Sequence, residues 1–190
     1  MLRRPGERSQ LRVIGREAFC NCTSLGSIDL PEGLEEIALS AFRCSGLEGF
    51  VAPGTLRTLR QGAFAGCESL RCAMLNEGLE VLGTDEYPKS GLWRGVFEGS
   101  SLERVDLPFT LRRIEYSAFD GCEMLRRISL PDGLERIGRR CFQESGIEEI
   151  VFPPGLREVG PCAFCRCQSL RRAVLNEGLQ TLGAKEVVDG

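Results

Sequence analysis

The residues best equipped for chemistry in this sequence are its 10 cysteines, because a thiolate can act as a nucleophile or bind a metal ion. Cys162, Cys165 and Cys167 form a C-x2-C-x-C cluster, a spacing that suits zinc ligands. A closed tetrahedral zinc site needs a fourth ligand, and the sequence contains no histidine to supply it. We therefore favour structural cysteines over a zinc site, and the sequence predicts no metal and no cofactor.

Catalytic machinery is not recognisable in the sequence. The absence of histidine removes the commonest general base and the usual partner of a nucleophilic serine or cysteine. No phosphate-binding glycine loop, dinucleotide-binding motif or calcium loop is present. Adjacent carboxylates, such as Glu35 with Glu36 and Glu148 with Glu149, are typical of a solvated surface. The sequence therefore predicts a protein that is not an enzyme.

Charge and hydropathy argue against two classes of partner. The formal net charge is -3 and the pI is about 5.3, whereas nucleic acids and anionic membranes favour a basic surface. No apolar run approaches the length of about 18 residues that a membrane span requires. We expect no nucleic-acid partner and no membrane insertion. Residues 1–10 lack the apolar core of a signal peptide, which favours the cytoplasm but leaves the compartment unknown.

A repeat positions all of these residues. A leucine that follows a turn recurs at intervals of 23, 22, 23, 32, 23, 22 and 23 residues. Such periods are the signature of solenoids, whose units stack on their neighbours to bury their apolar faces. We expect one elongated domain over residues 11–190 and a disordered lead-in over residues 1–10. The coils open at Leu11, Leu34, Leu56, Leu79, Leu111, Leu134, Leu156 and Leu179.

The repeats are organised as a duplicated block of four coils. Residues from Leu11 onward match those from Leu111 onward at a constant offset of 100. The second block stops early in its fourth coil, so we expect a truncated last coil. Leu179 and Leu182 would then be uncovered, and the end of the chain could self-associate.

The coil that begins at Leu111 illustrates the unit. Alternating apolar residues in its L-x-x-I-x-L segment predict a short, half-buried strand that pairs in parallel with the next coil at about 4.8 Å. The rest of the coil suits a turn and a short 3₁₀ or α-helical stretch, and the sequence does not decide between them. Its expected core residues are Leu111, Ile114, Ala118, Phe119, Cys122, Leu125, Ile128 and Leu130. Seven strands are expected, starting near Leu25, Leu47, Leu70, Leu102, Leu125, Ile147 and Leu170.

These positions form the pattern GLxxIGxxAFxxCxxLxxIxLP, seen at residues 33–44 and again at residues 155–167. The pattern resembles the BspA-like class of leucine-rich repeats over roughly residues 11–183. The resemblance implies a leucine-rich repeat solenoid of the α/β type. Short parallel strands would line its concave face, turns and short 3₁₀ or helical segments its convex face, and its use would be adhesion or protein binding. The chain departs from the pattern at Cys141, Ser100, Ser145 and an insertion in the fourth coil.

Five cysteines fall at or near one position of the repeat, three residues after the Phe or, for Cys44, two residues after it. The repetition predicts a buried ladder of small apolar side chains. Coil spacing would also tolerate a disulfide between Cys44 and Cys67. We expect reduced thiols that are mostly buried, with Cys72 the exception because it falls in an outward strand position. The five are Cys22, Cys44, Cys67, Cys122 and Cys167.

The outward residues of the predicted strands form two columns, which we call the strand face. Apolar residues and arginines are mixed there, a combination that is typical of protein interfaces. Ordinary solvated strand positions would also account for the valines, which have high β propensity. The candidate binding residues on this face are Val51, Met74, Arg104, Arg127, Glu149, Val151, Arg172 and Val174.

The insertion over residues 84–95 contains Tyr87 and Trp93, the only tryptophan. Loops on a rigid scaffold are favoured binding sites, so Trp93 could be a protruding anchor for a partner. It could equally fold back to cover the edge of the coil.

The function predicted from these features is a non-enzymatic protein-binding module that uses the concave strand face, with the 84–95 loop as a second candidate surface. The partner would be a protein whose identity the sequence does not give. The alternative is a structural spacer or an adhesin segment of a larger surface protein, and such a spacer needs no differences between the blocks. Met74 against Val174 and Gly49 against Glu149 do differ, which favours binding.

Overall fold

The computed structural model describes residues 10–84 and 94–183. Each coil contributes one or two very short strands, because a coil of this length can extend for only two or three residues between turns. The strands of the described residues are β1 Val13–Ile14, β2 Glu36–Ile37, β3 Gly49–Val51, β4 Thr58–Leu59, β5 Cys72–Met74, β6 Val81–Leu82, β7 Arg104–Asp106, β8 Arg113–Ile114, β9 Arg136–Ile137, β10 Glu149–Val151, β11 Glu158–Val159, β12 Arg172–Val174 and β13 Thr181–Leu182.

The two-residue strands form ladders along one side of the solenoid. One sheet has the order β1-β2-β4 and another the order β13-β11-β9-β8-β6, and all their pairings are parallel. The register pairs Val13 with Glu36 and Arg113 with Arg136, so one step of the ladder is one repeat of the sequence. The sequence analysis did not predict these strands. The chain is therefore a parallel β-solenoid with more than one strand in most of its coils.

The three-residue strands form the second set of ladders. Strands β3, β5 and β7 pair in parallel, as do β10 and β12. Five of the seven strands predicted here are confirmed. The two predicted to start near Leu25 and Leu125 are wrong, because residues 27–29 and 127–129 form no strand. This side of the solenoid is therefore interrupted at the first and fifth coils.

Close approach by the following coil gives a physical reason for the interruptions. Those following coils, like the fourth coil, are one residue shorter between the Phe and the next core residue, but they carry Gly46 or Gly146 where the fourth coil carries Ser101. A Cβ on Gly146 would lie 2.0 Å from the carbonyl oxygen of Glu123. The backbones meet tightly at this point, make one more bond from Glu148 N to Arg126 O at 3.0 Å, and then separate.

No helix occurs in the described ranges, so the predicted 3₁₀ or helical stretch is a series of turns instead. Residues in the left-handed region stand two places before and two places after the Phe of most coils. Arg140 and Glu144, for example, have φ of 55° on either side of Phe142. A right-handed helix cannot pass through such residues, because a left-handed conformation breaks its hydrogen-bond series.

The core of the solenoid is a stack of phenylalanines flanked by leucines. Consecutive rings from Phe19 to Phe164 lie 5.1–5.6 Å apart and are nearly parallel, one ring from each coil. The coil-opening leucines from Leu34 to Leu156 are fully buried. Each coil therefore completes the core of its neighbours, as expected for a repeat protein.

Apolar side chains are more exposed in the first and last coils. Leu11 is 47% exposed, Leu175 is 52% exposed and Leu182 is 55% exposed. Self-association through the last coil stays a prediction. In the described residues, no helix has the length and apolar character required to cross a bilayer.

Candidate functional site

The strand face brings the predicted apolar residues into register. Val51 pairs with Met74 across β3 and β5, and Val151 pairs with Val174 across β10 and β12. Val51 is 64% exposed, Met74 is 50% exposed and Val151 is 53% exposed, whereas Val174 is half-buried. Exposed apolar side chains held on a regular backbone can contact a partner without first becoming ordered.

Two of the three predicted arginines are already paired within the chain. The Arg104 guanidinium lies 2.9 Å from a carboxylate oxygen of Asp106 on the same strand. Arg172 forms an ion pair with Glu149 across the β10–β12 ladder. Arg127, by contrast, forms neither a hydrogen bond nor an ion pair with the described residues. Arg127 is therefore the predicted arginine whose charge is left for a partner.

A groove of about 740 Å³ crosses the strand face where its ladder is interrupted. The fourth, fifth and sixth coils line it, so Arg104, Arg127, Glu149 and Val151 lie at one site. Val51 and Met74 lie on the first ladder of this face, outside the groove lining. Tyr87 and Trp93 lie outside the described residues, and their part in binding stays a prediction.

The floor of the groove is apolar. Ile128 and Leu130 are half-buried there, whereas the corresponding inward residue Ile150 of β10 is 1% exposed. Ile128 and Leu130 are less buried because their segment lies outside the ladder, so the coils on either side do not cover it closely. The sequence predicted these two residues as core and did not indicate that they line a groove.

Sequence reasoning missed Phe109, which is 72% exposed in the turn before Leu111. A signal for it exists. Four other copies of the repeat carry an acidic residue at this turn position and two carry Gly54 or Pro154, so a large aromatic residue there departs from the pattern; the acidic residues are Glu32, Glu77, Asp132 and Glu177. Its backbone N–H donates to a carboxylate oxygen of Glu77 at 3.4 Å.

The cysteine column differs from its prediction. The residues three places after each Phe alternate between cysteine and serine, so Ser45 occupies the column and Cys44 does not. Cys67 and Cys122 are buried as predicted, Cys167 is half-buried, and Cys22 is exposed in the first coil. The expectation that Cys72 is the exception among buried cysteines is wrong, because the exposed thiols are those of Cys22, Cys72, Cys162 and Cys165.

All ten cysteines are free thiols, with no disulfide between Cys44 and Cys67. Burial raises the pKa of the Cys122 thiol to about 12 and raises that of Cys141 well above its ordinary value. A neutral, buried thiol is a poor nucleophile and a poor metal ligand. The buried cysteines are therefore structural.

The C-x2-C-x-C cluster does not converge on one point. The Cys167 thiol donates inward to the carbonyl oxygen of Phe142 at 2.9 Å, while Cys162 and Cys165 are exposed at a turn. Across the described ranges, no three His, Cys, Asp or Glu side chains are grouped as metal ligands.

Two carboxylates near the Phe stack have perturbed acidity. Burial raises the pKa of Glu98 and the pKa of Asp120, and hydrogen bonds from neighbouring groups oppose that change. The N–H of Gly95 donates to Glu98 at 2.8 Å, and the Ser117 hydroxyl donates to Asp120 at 3.1 Å. Both carboxylates close the turns of their own coils, so their bonds have a structural role.

The repeats of this chain match a known family of leucine-rich repeats. The BspA type leucine-rich repeat region matches residues 7–93 and 90–187, in 6 copies. No curated protein shows significant sequence similarity to the chain.

Solved structures of three bacterial proteins are similar. A leucine-rich repeat protein from Bacteroides ovatus is 28% identical with a TM-score of 0.74, over 88% of this chain and 45% of that protein. A leucine-rich repeat protein from T. pallidum is 26% identical with a TM-score of 0.56, over 66% of this chain and 57% of that protein. A leucine-rich cell surface protein from Faecalibacterium prausnitzii is 21% identical with a TM-score of 0.59, over 90% of this chain and 53% of that protein. This sequence identity is low, so the comparison shows a shared fold alone. The chain thus spans about half the length of these proteins.

Proposed function

Because the chain belongs to the BspA-type leucine-rich repeat family, we propose that it is a non-enzymatic binding module whose strand face contacts a protein partner. The exposure of Val51, Met74 and Val151 carries this proposal, since each is at least 50% exposed on a regular ladder. In protein interfaces a minority of residues, clustered near the centre, cost more than about 1 kcal/mol of binding free energy when they are truncated. A rigid ladder adds to this, because little conformational entropy is lost when the partner binds.

A protein is the partner that the charge of the chain favours. Arginines and carboxylates are mixed along the strand face, and two pairs form there, Arg104 with Asp106 and Arg172 with Glu149. A polyanion such as nucleic acid would need a surface with excess positive charge, whereas the chain has a net charge of -3. Mixed charge beside exposed apolar residues is typical of a protein interface.

The alternative function is a spacer or an adhesin segment within a larger surface protein. A spacer requires only that the coils stack, so its outward residues could be the same in both blocks. Ser27 and Arg127 occupy equivalent positions, as do Gly49 and Glu149, and they differ in charge. This difference supports a surface that distinguishes one partner from another.

Site-directed photo-crosslinking tests the proposal. A photoreactive residue would replace Met74 or Val151 on the strand face and, in a matched control, Glu80, which is exposed before β6 on the other side of the solenoid. In a lysate of the source organism, we expect both strand-face variants to crosslink to the same protein and the Glu80 variant not to. A spacer would give either no product or equal products from all three positions.

A further inference from the structure

The interrupted part of the strand face has unused backbone hydrogen-bonding groups. Residues 127–130 make no backbone–backbone hydrogen bond within the described ranges. The preceding residue, Arg126, still accepts a bond from Glu148 N at 3.0 Å. A segment whose N–H and C=O groups are unpaired at an open groove can pair with the main chain of a peptide, a mode known as β-augmentation.

The charge at the groove selects among possible peptides. Asp106 and Glu149 are neutralised by their arginine partners Arg104 and Arg172. Arg127 has no such partner among the described residues, and the carboxylate of Glu148 is already bound by Arg126 at 2.8 Å. A guanidinium binds a carboxylate through two parallel hydrogen bonds, so an acidic side chain is the complement that Arg127 lacks.

Carboxylates around the groove limit how much negative charge a ligand can carry. Asp106, Asp132 and Glu149 all contribute to its lining. A polyanion would be repelled by these groups, whereas a single carboxylate can reach Arg127 and leave the rest of the ligand uncharged. Ile128 and Leu130 on the floor and Val151 at the side provide the apolar contact for a residue beside that carboxylate.

We infer that this groove binds an extended segment of a protein partner, with its backbone along residues 127–130, an Asp or Glu on Arg127 and an apolar side chain on the groove floor. The inference rests on the proposed function and names the chemical class of partner for it.

The first block of the chain contains a natural control for this site. Residues 27–30 also lie outside the ladder and also make no backbone–backbone hydrogen bond among the described residues. However, Ser27 stands where the second block has Arg127, and Gly49 stands where it has Glu149. Arg127→Ser therefore gives the second site the residue that the first site already has, at an exposed position where the fold tolerates it.

The experiment uses two pools of blocked nonapeptides as probes. One pool has a fixed central Glu, the other a fixed central Lys, and all other positions are randomised. Each pool is titrated into the ¹⁵N-labelled chain, and a tight binder is then selected from the Glu pool for affinity measurements. We expect the Glu pool to shift the Arg127 side-chain resonance and the amides of residues 127–130, while residues 27–30 stay unchanged. For the selected peptide, we expect Arg127→Ser to weaken binding by about 10- to 100-fold and Arg127→Lys to weaken it less.

Equal shifts from the Lys pool, or equal shifts at residues 27–30, would overturn the inference. So would an affinity that Arg127→Ser leaves unchanged, or the absence of any shift in the groove. The proposed function is judged separately by crosslinking from Met74, which does not line the groove. If Met74 crosslinks to a protein while the groove ignores acidic peptides, the strand face binds a partner and the groove inference fails alone.

Discussion

The thiol of Cys122 lies 3.6 Å from the hydroxyl of Ser100 in the preceding coil, and it donates to the carbonyl oxygen of Phe97 at 3.1 Å. The same bridge joins Cys67 to Ser45 at 3.5 Å. A buried serine needs a partner for its hydroxyl, and the cysteine one coil later supplies it. This explains why cysteine and serine alternate in this column of the repeat.

Removing a buried member of this column should destabilise the fold. Cys122→Ala leaves the buried Ser100 hydroxyl without its thiol partner, so we expect a loss of about 1–3 kcal/mol in the free energy of unfolding. Cys22→Ala changes the equivalent residue of the first block, which is exposed, and should cost less than about 0.5 kcal/mol. Chemical denaturation measures both, and equal losses would contradict the bridging role.

Thiol reactivity should follow burial. Near pH 8, we expect a disulfide reagent to label Cys22, Cys72, Cys162 and Cys165 within the native protein, because these thiols are exposed. Cys122 should remain unlabelled, since its pKa of about 12 leaves almost no thiolate at that pH. Mass spectrometry of the labelled peptides identifies the sites, and rapid labelling of Cys122 would show that its coil opens readily. After denaturation, all 10 thiols should react.

Stability should also fall in alkaline solution. The pKa of Cys122 is raised to about 12 in the fold, so the folded state favours the neutral thiol. The stability that comes from burying Cys122 as a neutral thiol is fully present below the pKa of an unfolded thiol, about 8.5. This stability is lost as the pH rises from there towards 12. We expect the free energy of unfolding to decrease between about pH 9 and pH 11 by a smaller amount in Cys122→Ala than in the parent chain. The same slope in both proteins would contradict this assignment.

Left-handed residues in the turns offer stabilising substitutions. Cys162 has φ of 57°, and the equivalent residue of the first block is Gly62. A side chain in this region costs about 1 kcal/mol, so Cys162→Gly should raise the free energy of unfolding by about 0.5–1 kcal/mol.

Conversely, Gly121→Ala should lower the free energy of unfolding, because Gly121 has φ of 68°. A Cβ there would meet no atom closer than 3.6 Å, so the loss would report backbone strain and not a steric clash. Gly15→Ala is the control: its site is open and outside the left-handed region, so no loss is expected.

The Phe stack should be most sensitive in its middle. Phe119 lies between Phe97 and Phe142, with ring centroids at 5.6 and 5.3 Å, and is fully buried. Phe119→Ala should therefore cost about 3–5 kcal/mol. Phe19 occupies the same place in the first coil, is half-buried and has a stacking partner on one side, Phe42. Its replacement by Ala should cost clearly less, and an equal cost would mean that stacking is not shared along the array.

Much of this architecture could be predicted from side-chain periodicity. The alternation in segments such as residues 147–152 indicates a strand whose inward residues are buried, and β10 confirms it. The same alternation around Ile128 was misleading, since the loss of the ladder there depends on how closely Gly146 approaches the preceding coil. That approach is a contact between coils, and no local pattern reports it.

Other features were hidden for a different reason. A two-residue strand such as β9 has no measurable periodicity and exists only because it pairs with β8 and β11. Arg140 and Glu144 are residues that also suit helices, so their left-handed conformations could not be predicted from their types. The unpaired state of Arg127 likewise depends on neighbours that only the folded chain brings together.

The measurement that tests the central claim most directly is the affinity of the crosslinked partner for strand-face variants. Isothermal titration would compare the parent chain with Met74→Ser, Val151→Ser and, as control, Glu80→Ser. We predict that each strand-face substitution weakens binding by about fivefold or more and that the control binds like the parent chain. Unchanged affinity in both strand-face variants, or an equal loss in Glu80→Ser, would contradict a binding role for this face.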